Sequence, residues 1–100
     1  TMFIVIGKLT IKESKINEAI ALSQKHVSRV RQQAGCISYA AHTDTELKNL
    51  LVFIERWQTM DHLEKHFQTN AALEFAENIS KLVKETPSIE IYHSKALQRH

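Results

Sequence analysis

The sequence has few of the residues on which several common kinds of functional site depend. Among its 100 residues are two glycines, Gly7 and Gly35, and one cysteine, Cys36. Two isolated glycines exclude the glycine-rich loops that hold nucleotides, such as GxGxxG or the P-loop. A single cysteine cannot form an internal disulfide, and at the start of a predicted strand we expect it to be a small buried residue.

Long apolar runs and a strong charge of either sign are also absent. No run reaches the length of a membrane span, and the N-terminus lacks the layout of a signal peptide. Thirteen basic and eleven acidic residues leave a net charge of +2, which is too small a bias to indicate nucleic-acid binding. We therefore expect one globular domain, over residues 2–98, in the cytoplasm, with no nucleic-acid or membrane partner.

The hydrophobic periodicity predicts four strands and two helices in the order βαββαβ. Apolar residues at three- and four-residue steps mark the first helix, which we expect Ser14 to cap and Gly35 to end. The second helix begins near Thr59, loosens at residues 69–70, and stops before Pro87. The predicted strands cover residues 3–11, 36–43, 50–57 and 88–96.

This order is that of the ferredoxin-like α+β fold, a four-stranded antiparallel sheet with both helices on one face. The strands, however, are apolar on both faces, and two helices can cover only one. In a monomer, four aliphatic side chains would then lie exposed: Ile4, Ile6, Val52 and Ile54. Together they would form a larger apolar patch than monomers usually tolerate. We expect this face to pack against a second copy as an isologous homodimer. An RNA-binding sheet would need exposed aromatic and basic residues there instead.

The stretch from Leu50 to Phe67 contains most of the candidate site residues. A predicted buried strand runs directly into the second helix, so Glu55, Trp57 and His66 fall near one junction. Phe53, Glu55 and Trp57 share one strand face by their even spacing. A carboxylate between two aromatic residues requires a partner, and we expect Glu55 to bond to backbone or to a cation, or to orient a catalytic group.

The motifs Gly35-Cys36-x-x-Tyr39, Glu55-x-Trp57-x-Thr59 and Leu63-x-x-His66 resemble the antibiotic biosynthesis monooxygenase superfamily, which includes quinol monooxygenases. The resemblance extends over nearly the whole chain. It implies a dimeric α+β barrel formed through the sheets, with a pocket between sheet and helices. It also implies oxygenation of an electron-rich phenol or quinol without flavin, haem or metal.

On this resemblance we expect His66 to be the catalytic acid or base, since an imidazole suits proton transfer near neutral pH. The expected substrate pocket has five aromatic or imidazole side chains: Tyr39, Phe53, Trp57, His62 and Phe67. Haem-degrading relatives use an Asn, Trp and His set, from which this sequence departs at Gly7 and His66. Another branch of the superfamily processes small sugar-like signalling molecules, and that function is an alternative for this chain.

Two alternatives accompany this interpretation. His62 and His66 have the i,i+4 spacing of metal ligands, but two histidines without a further ligand at motif spacing are a weak signal, and we expect no metal. The domain could also bind a small molecule without catalysis, since an apolar pocket with one histidine serves either purpose.

Overall fold

The computed structural model describes residues 1–99 of the chain. Its strands are β1 (Met2–Thr10), β2 (Cys36–Thr43), β3 (Leu50–Trp57) and β4 (Ser88–Ser94). Its helices are α1 (Ile16–Val30), α2 (Met60–Phe67) and α3 (Asn70–Ser80), and a single 3₁₀ turn, Glu13–Lys15, precedes α1. The strands pair antiparallel in the order β2-β3-β1-β4. The predicted ferredoxin-like α+β fold is therefore confirmed.

The predicted second helix is two helices, divided at the point where the sequence pattern loosens. Thr59 caps α2 as expected, its hydroxyl accepting a hydrogen bond from the backbone N–H of His62 at 3.1 Å. Thr69 caps α3 in the same way, accepting from the N–H of Ala72 at 3.2 Å. The Thr69 hydroxyl also donates to the carbonyl of His66 at 2.7 Å, which joins the end of α2 to the start of α3.

The predicted limits of the first helix were wrong at both ends. Ser14 lies within the 3₁₀ turn, and the N-cap of α1 is Lys15, which makes no side-chain capping bond. The helix ends at Val30, and Gly35 lies beyond the following turn with a φ of 79°. The ring of His62 packs so closely on Gly35 that any Cβ there would overlap it. The glycine is therefore required by both its backbone conformation and this contact.

Three strand ends also differ from the prediction, the first being the start of β1 at Met2, one residue early. β1 stops at Thr10 because Ile11 makes an isolated bridge to Val83 instead of continuing the ladder. β4 stops at Ser94, two residues early. No helix among residues 1–99 combines the length and apolar character needed to cross a membrane.

The two faces of the sheet have different surroundings. The face under the helices, called here the helix face, holds most of the core, including Val5, Phe53 and Trp57, which are at most 3% exposed. The opposite face, called here the open face, carries four aliphatic side chains that remain partly exposed: Ile4, Ile6, Val52 and Ile54. The helix face is the one that positions the candidate site.

Candidate functional site

A cavity of about 360 Å³ lies between the helix face and the helices α2 and α3. This volume is within the range of small-molecule pockets. Val5, Gly7 and Phe53 form part of its floor, and Phe75 and Ile79 contribute from α3. Its outer end reaches β4, where Ile89 lines the cavity and is 60% exposed. The walls are mainly apolar, so a ligand buried here would be largely apolar itself.

Glu55 is the only carboxylate on this cavity among residues 1–99, and it is 6% exposed. The indole Nε1 of Trp57 donates a hydrogen bond to Glu55 Oε1 at 3.0 Å, because residues two apart on a strand share a face. Burial raises the pKa of Glu55 from 4.5 to about 7, although this hydrogen bond opposes the rise. The expected backbone or cationic partner is thus replaced by an indole, and the carboxyl titrates close to neutral pH.

His66 projects from α2 toward Glu55 and is 4% exposed. Its Nδ1 lies 2.8 Å from the side-chain oxygen of Gln33, an atom that can only accept, so Nδ1 carries the proton. The other ring nitrogen, Nε2, lies 4.0 Å from Glu55 Oε1. Burial lowers the pKa of His66 from 6.5 to about 4, so the ring is neutral at pH 7 and this approach is not an ion pair. Nε2 is therefore a free proton acceptor on the cavity wall.

Tyr39 completes the inner end of the cavity from β2. Its side chain is 4% exposed and meets the rings of Phe53 and His66 edge-on, with centroids 5.9 and 5.7 Å away. Burial, followed by the neighbouring Glu55 carboxylate, raises the pKa of the Tyr39 hydroxyl well above its ordinary value. The hydroxyl is therefore neutral at physiological pH and can donate a hydrogen bond.

His26 is a cavity residue that the sequence analysis missed. It lies on α1, is 4% exposed, and stacks on Phe75 with ring centroids 4.1 Å apart. A signal was present, because position 26 falls three residues after Ser23 and seven after Ala19, both on the buried stripe of α1. A histidine on such a stripe is expected to be buried, so its position indicates a candidate site residue.

The structure brings some of the predicted site residues together and separates others. Five of them line the cavity: Tyr39, Phe53, Glu55, His66 and Phe67. Trp57 is fully buried behind Glu55 and stacks on His66 at 4.7 Å, so it supports the cavity wall without lining it. His62 also lies outside the lining, because its ring packs on Gly35 and its Nδ1 lies 2.7 Å from the Thr59 hydroxyl.

The histidines of α2 do not form a common centre, since their Nδ1 atoms bond to different residues, Thr59 just before α2 and Gln33 after α1. Within residues 1–99 no three His, Cys, Asp or Glu side chains gather in a way that could hold a metal ion. Cys36 is half-buried, and burial raises the pKa of its thiol, so the thiolate that a nucleophile requires is disfavoured.

Comparison with known proteins shows that the chain is similar to members of a known family. A family model described as "Antibiotic biosynthesis monooxygenase" matches residues 2–78. The uncharacterised protein sll1783 of Synechocystis sp. is 37% identical over 89 residues, which cover 89% of this chain and 60% of that protein. The chain therefore spans less than two thirds of that relative's length.

Solved structures share the fold over almost the whole chain. A conserved protein from Methanosarcina mazei Go1 superposes with a TM-score of 0.90 at 23% identity, covering 94% of this chain and 93% of that one. A structure described as an antibiotic biosynthesis monooxygenase gives a TM-score of 0.88 at 22% identity, covering 94% and 99%. At these identities the similarity establishes the fold.

Proposed function

This chain belongs to the antibiotic biosynthesis monooxygenase family, and from that premise we propose that it is a monooxygenase for a small, planar, oxygenated aromatic substrate such as a quinol. One observation carries the proposal: the buried pair Glu55 and His66 lies at the inner end of a mainly apolar cavity. An aromatic ring fits the apolar walls, and its hydroxyl group would meet the polar pair.

The proposed reaction takes its electrons from the substrate and uses no cofactor. A quinol that gains one atom of O₂ on its ring, while the other atom leaves as water, becomes a hydroxyquinone, and the atoms and electrons balance. The anion of such a substrate gives up electrons far more readily than the neutral form. The protein therefore has to remove a hydroxyl proton beside an apolar cavity, which is general base catalysis.

His66 Nε2 is the proposed proton acceptor, since Gln33 holds the other ring nitrogen in its protonated form. Proton transfer to Nε2 creates an imidazolium 4.0 Å from Glu55, whose carboxylate stabilises that charge. The indole of Trp57 fixes Glu55 in position. Glu55 is thus the positioning and charge-balancing member of the pair, and its ionisation near pH 7 sets when the pair is active.

Oxygen uptake with a panel of quinols and phenols, free of added flavin and metal, tests this function. We expect uptake that rises with pH through about 7 in the wild type. His66→Ala should lower it by about 10²–10⁴-fold, the usual contribution of a general base. Glu55→Gln should flatten the pH dependence. His93→Ala, which changes an exposed histidine outside the cavity, is the control.

Two results would contradict the proposal in different ways. Uptake that His66→Ala leaves unchanged would remove His66 as the base. Binding of the same compounds without oxygen uptake would favour the second candidate, a non-catalytic small-molecule-binding domain with the same cavity.

The proposed working form is a homodimer joined through the open face. Its central side chains are aliphatic, with Ile6 and Ile54 paired across β1 and β3, and more polar residues such as Lys8 lie at its rim. Such a surface can pack on a copy of itself about a two-fold axis. Sedimentation equilibrium at micromolar concentration should give twice the mass of one chain, and a monomer would contradict this assembly.

A further inference from the structure

His26 lies at the inner end of the cavity, close to the Glu55–His66 pair. Its ring centroid is 6.3 Å from that of His66 and 5.6 Å from that of Tyr39, which meets it edge-on. Stacking on Phe75 at an interplanar angle of 4° fixes the plane of the ring. The three rings of His26, Tyr39 and His66 therefore surround one end of the same space.

Within residues 1–99 no protein group hydrogen-bonds to the His26 ring nitrogens, whereas Nδ1 of His66 is held by Gln33. Among residues 1–99, Ser23 Oγ is the only fully buried side-chain polar atom without a partner, so the His26 nitrogens are accessible from the cavity or from the cleft beside it and can bond to a ligand that enters. His26 also lines a small cleft of about 50 Å³ between α1 and α3, where Lys25, Arg29 and Glu74 are the charged neighbours. That cleft is large enough for water, so one ring nitrogen can bond outward while the other serves the cavity.

We propose that His26 binds a second oxygen atom of the substrate, so that the substrate is an aromatic ring with at least two oxygen functions. One oxygen lies at the Glu55–His66 pair and the other at His26. This inference takes the cavity as the substrate site, as proposed above, but it does not depend on turnover. His26 is then a specificity-determining residue, separate from the proton acceptor.

The protonation state of His26 suits this role. Burial first, then the neighbouring His66 and Arg29, lowers the pKa of His26 from 6.5 to about 4, so the ring is neutral at pH 7. A neutral imidazole has one donor and one acceptor nitrogen. It can therefore bond to a hydroxyl or to a ring carbonyl, the two forms that an oxygen function has before and after oxidation of a quinol.

Equilibrium binding under anaerobic conditions tests the proposal without any reaction. The probes are phenol, with one hydroxyl, and catechol, resorcinol and hydroquinone, with two. Trp57 is the only tryptophan of the chain and stacks on His66, so its emission reports occupancy of the inner end. We expect at least one dihydroxybenzene to bind about tenfold more tightly than phenol, which corresponds to one good hydrogen bond.

The decisive variant is His26→Phe, which keeps a ring to stack on Phe75 but cannot form hydrogen bonds. It should bind phenol as the wild type does. The ratio of its affinity for a dihydroxybenzene to its affinity for phenol should fall close to one. His26→Gln, which can donate and accept, should restore part of the ratio. The matched control is His93→Phe, because His93 also stacks on a phenylalanine, Phe3, with centroids 4.7 Å apart, but lies outside the cavity.

A wild-type ratio near one, or a ratio that His26→Phe leaves unchanged, would overturn the proposal. Equal weakening of all four probes would do the same, since it would mean that His26 only shapes the cavity. Absence of binding by any probe would also overturn it. His26→Leu gives the same comparison if the phenylalanine variant does not fold. If the ratio responds as expected but oxygen uptake is absent, the role of His26 stands and the monooxygenase function fails.

Discussion

The helix face and the open face of this sheet both carry apolar residues at every second position, but these side chains are buried to different extents on the two faces. On β3, Leu51, Phe53 and Trp57 are at most 3% exposed, whereas Val52 and Ile54 on the other face are only partly buried. The difference arises because all three helices pack on one side. Apolar periodicity therefore identifies surfaces that have to be buried, but it does not show what each surface packs against.

The two faces also differ in their polar residues. Glu55 is buried on the helix face with an indole partner, whereas Arg56, its neighbour on the open face, is exposed and donates to the Ser38 hydroxyl at 3.2 Å. A buried carboxylate is costly, and it is retained where it is hydrogen-bonded. The helix face is thus the one on which an unfavourable burial coincides with the candidate site. The open face has the aliphatic composition on which the proposed dimer depends.

The largest expected effect comes from placing a charge in the middle of the open face. Ile54→Lys should convert the proposed dimer to a monomer, because an unpaired charge buried at an interface costs several kcal/mol, which is more than about a hundredfold in the dissociation constant. Sedimentation equilibrium measures the change. Lys8→Gln, an exposed position at the rim of the same face, is the control and should stay dimeric. A dimeric Ile54→Lys would place the interface elsewhere.

A smaller effect is expected from filling the cavity on the helix face. Gly7 lies on its floor without a positive φ, and a Cβ there would meet Phe53 Cβ at an ordinary 3.7 Å. Gly7→Leu should keep the fold but weaken hydroquinone binding by about 30–150-fold, through overpacking of roughly 2–3 kcal/mol. Titration of Trp57 emission measures this. Gly7→Ala should change the affinity by less than about threefold. Normal binding by Gly7→Leu would show that ligands do not use this cavity.

The smallest effect concerns acid stability, which should depend on the buried His26 of α1 and not on the exposed His93. The pKa of His26 is about 4 in the folded protein and 6.5 when unfolded, so its stabilising contribution is present above pH 6.5 and is lost as the pH falls through 4. Between pH 7 and 5 this loss is about 1–2 kcal/mol.

Urea unfolding at both pH values measures that loss. His26→Phe should lose less free energy of unfolding on acidification than the wild type, by about that amount, whereas His93→Phe should behave as the wild type does. Identical losses in all three proteins would mean that His26 is hydrated and titrates normally.

The sequence predicted the fold because the signals for it are local. β2 and β3 begin and end where their alternation and flanking turn residues indicated, and Thr59 caps α2. The weak point at residues 69–70 became a break between two helices for a local reason too, the capping hydroxyl of Thr69. The end of α1 was mistaken because Gly35 was interpreted as a helix stop, whereas its role is a contact with His62 across the fold.

Amino-acid sequence by itself determined the order of strands and helices along the chain, the two apolar sheet faces and the shared face of Phe53, Glu55 and Trp57, since each follows from a period of two or of about 3.6 residues. Only the tertiary structure decided that Trp57 stands behind Glu55, that Gln33 fixes the tautomer of His66, and that His26 joins the site. Those residues come from different elements, and periodicity carries no information about distances between side chains that the chain brings together only by folding.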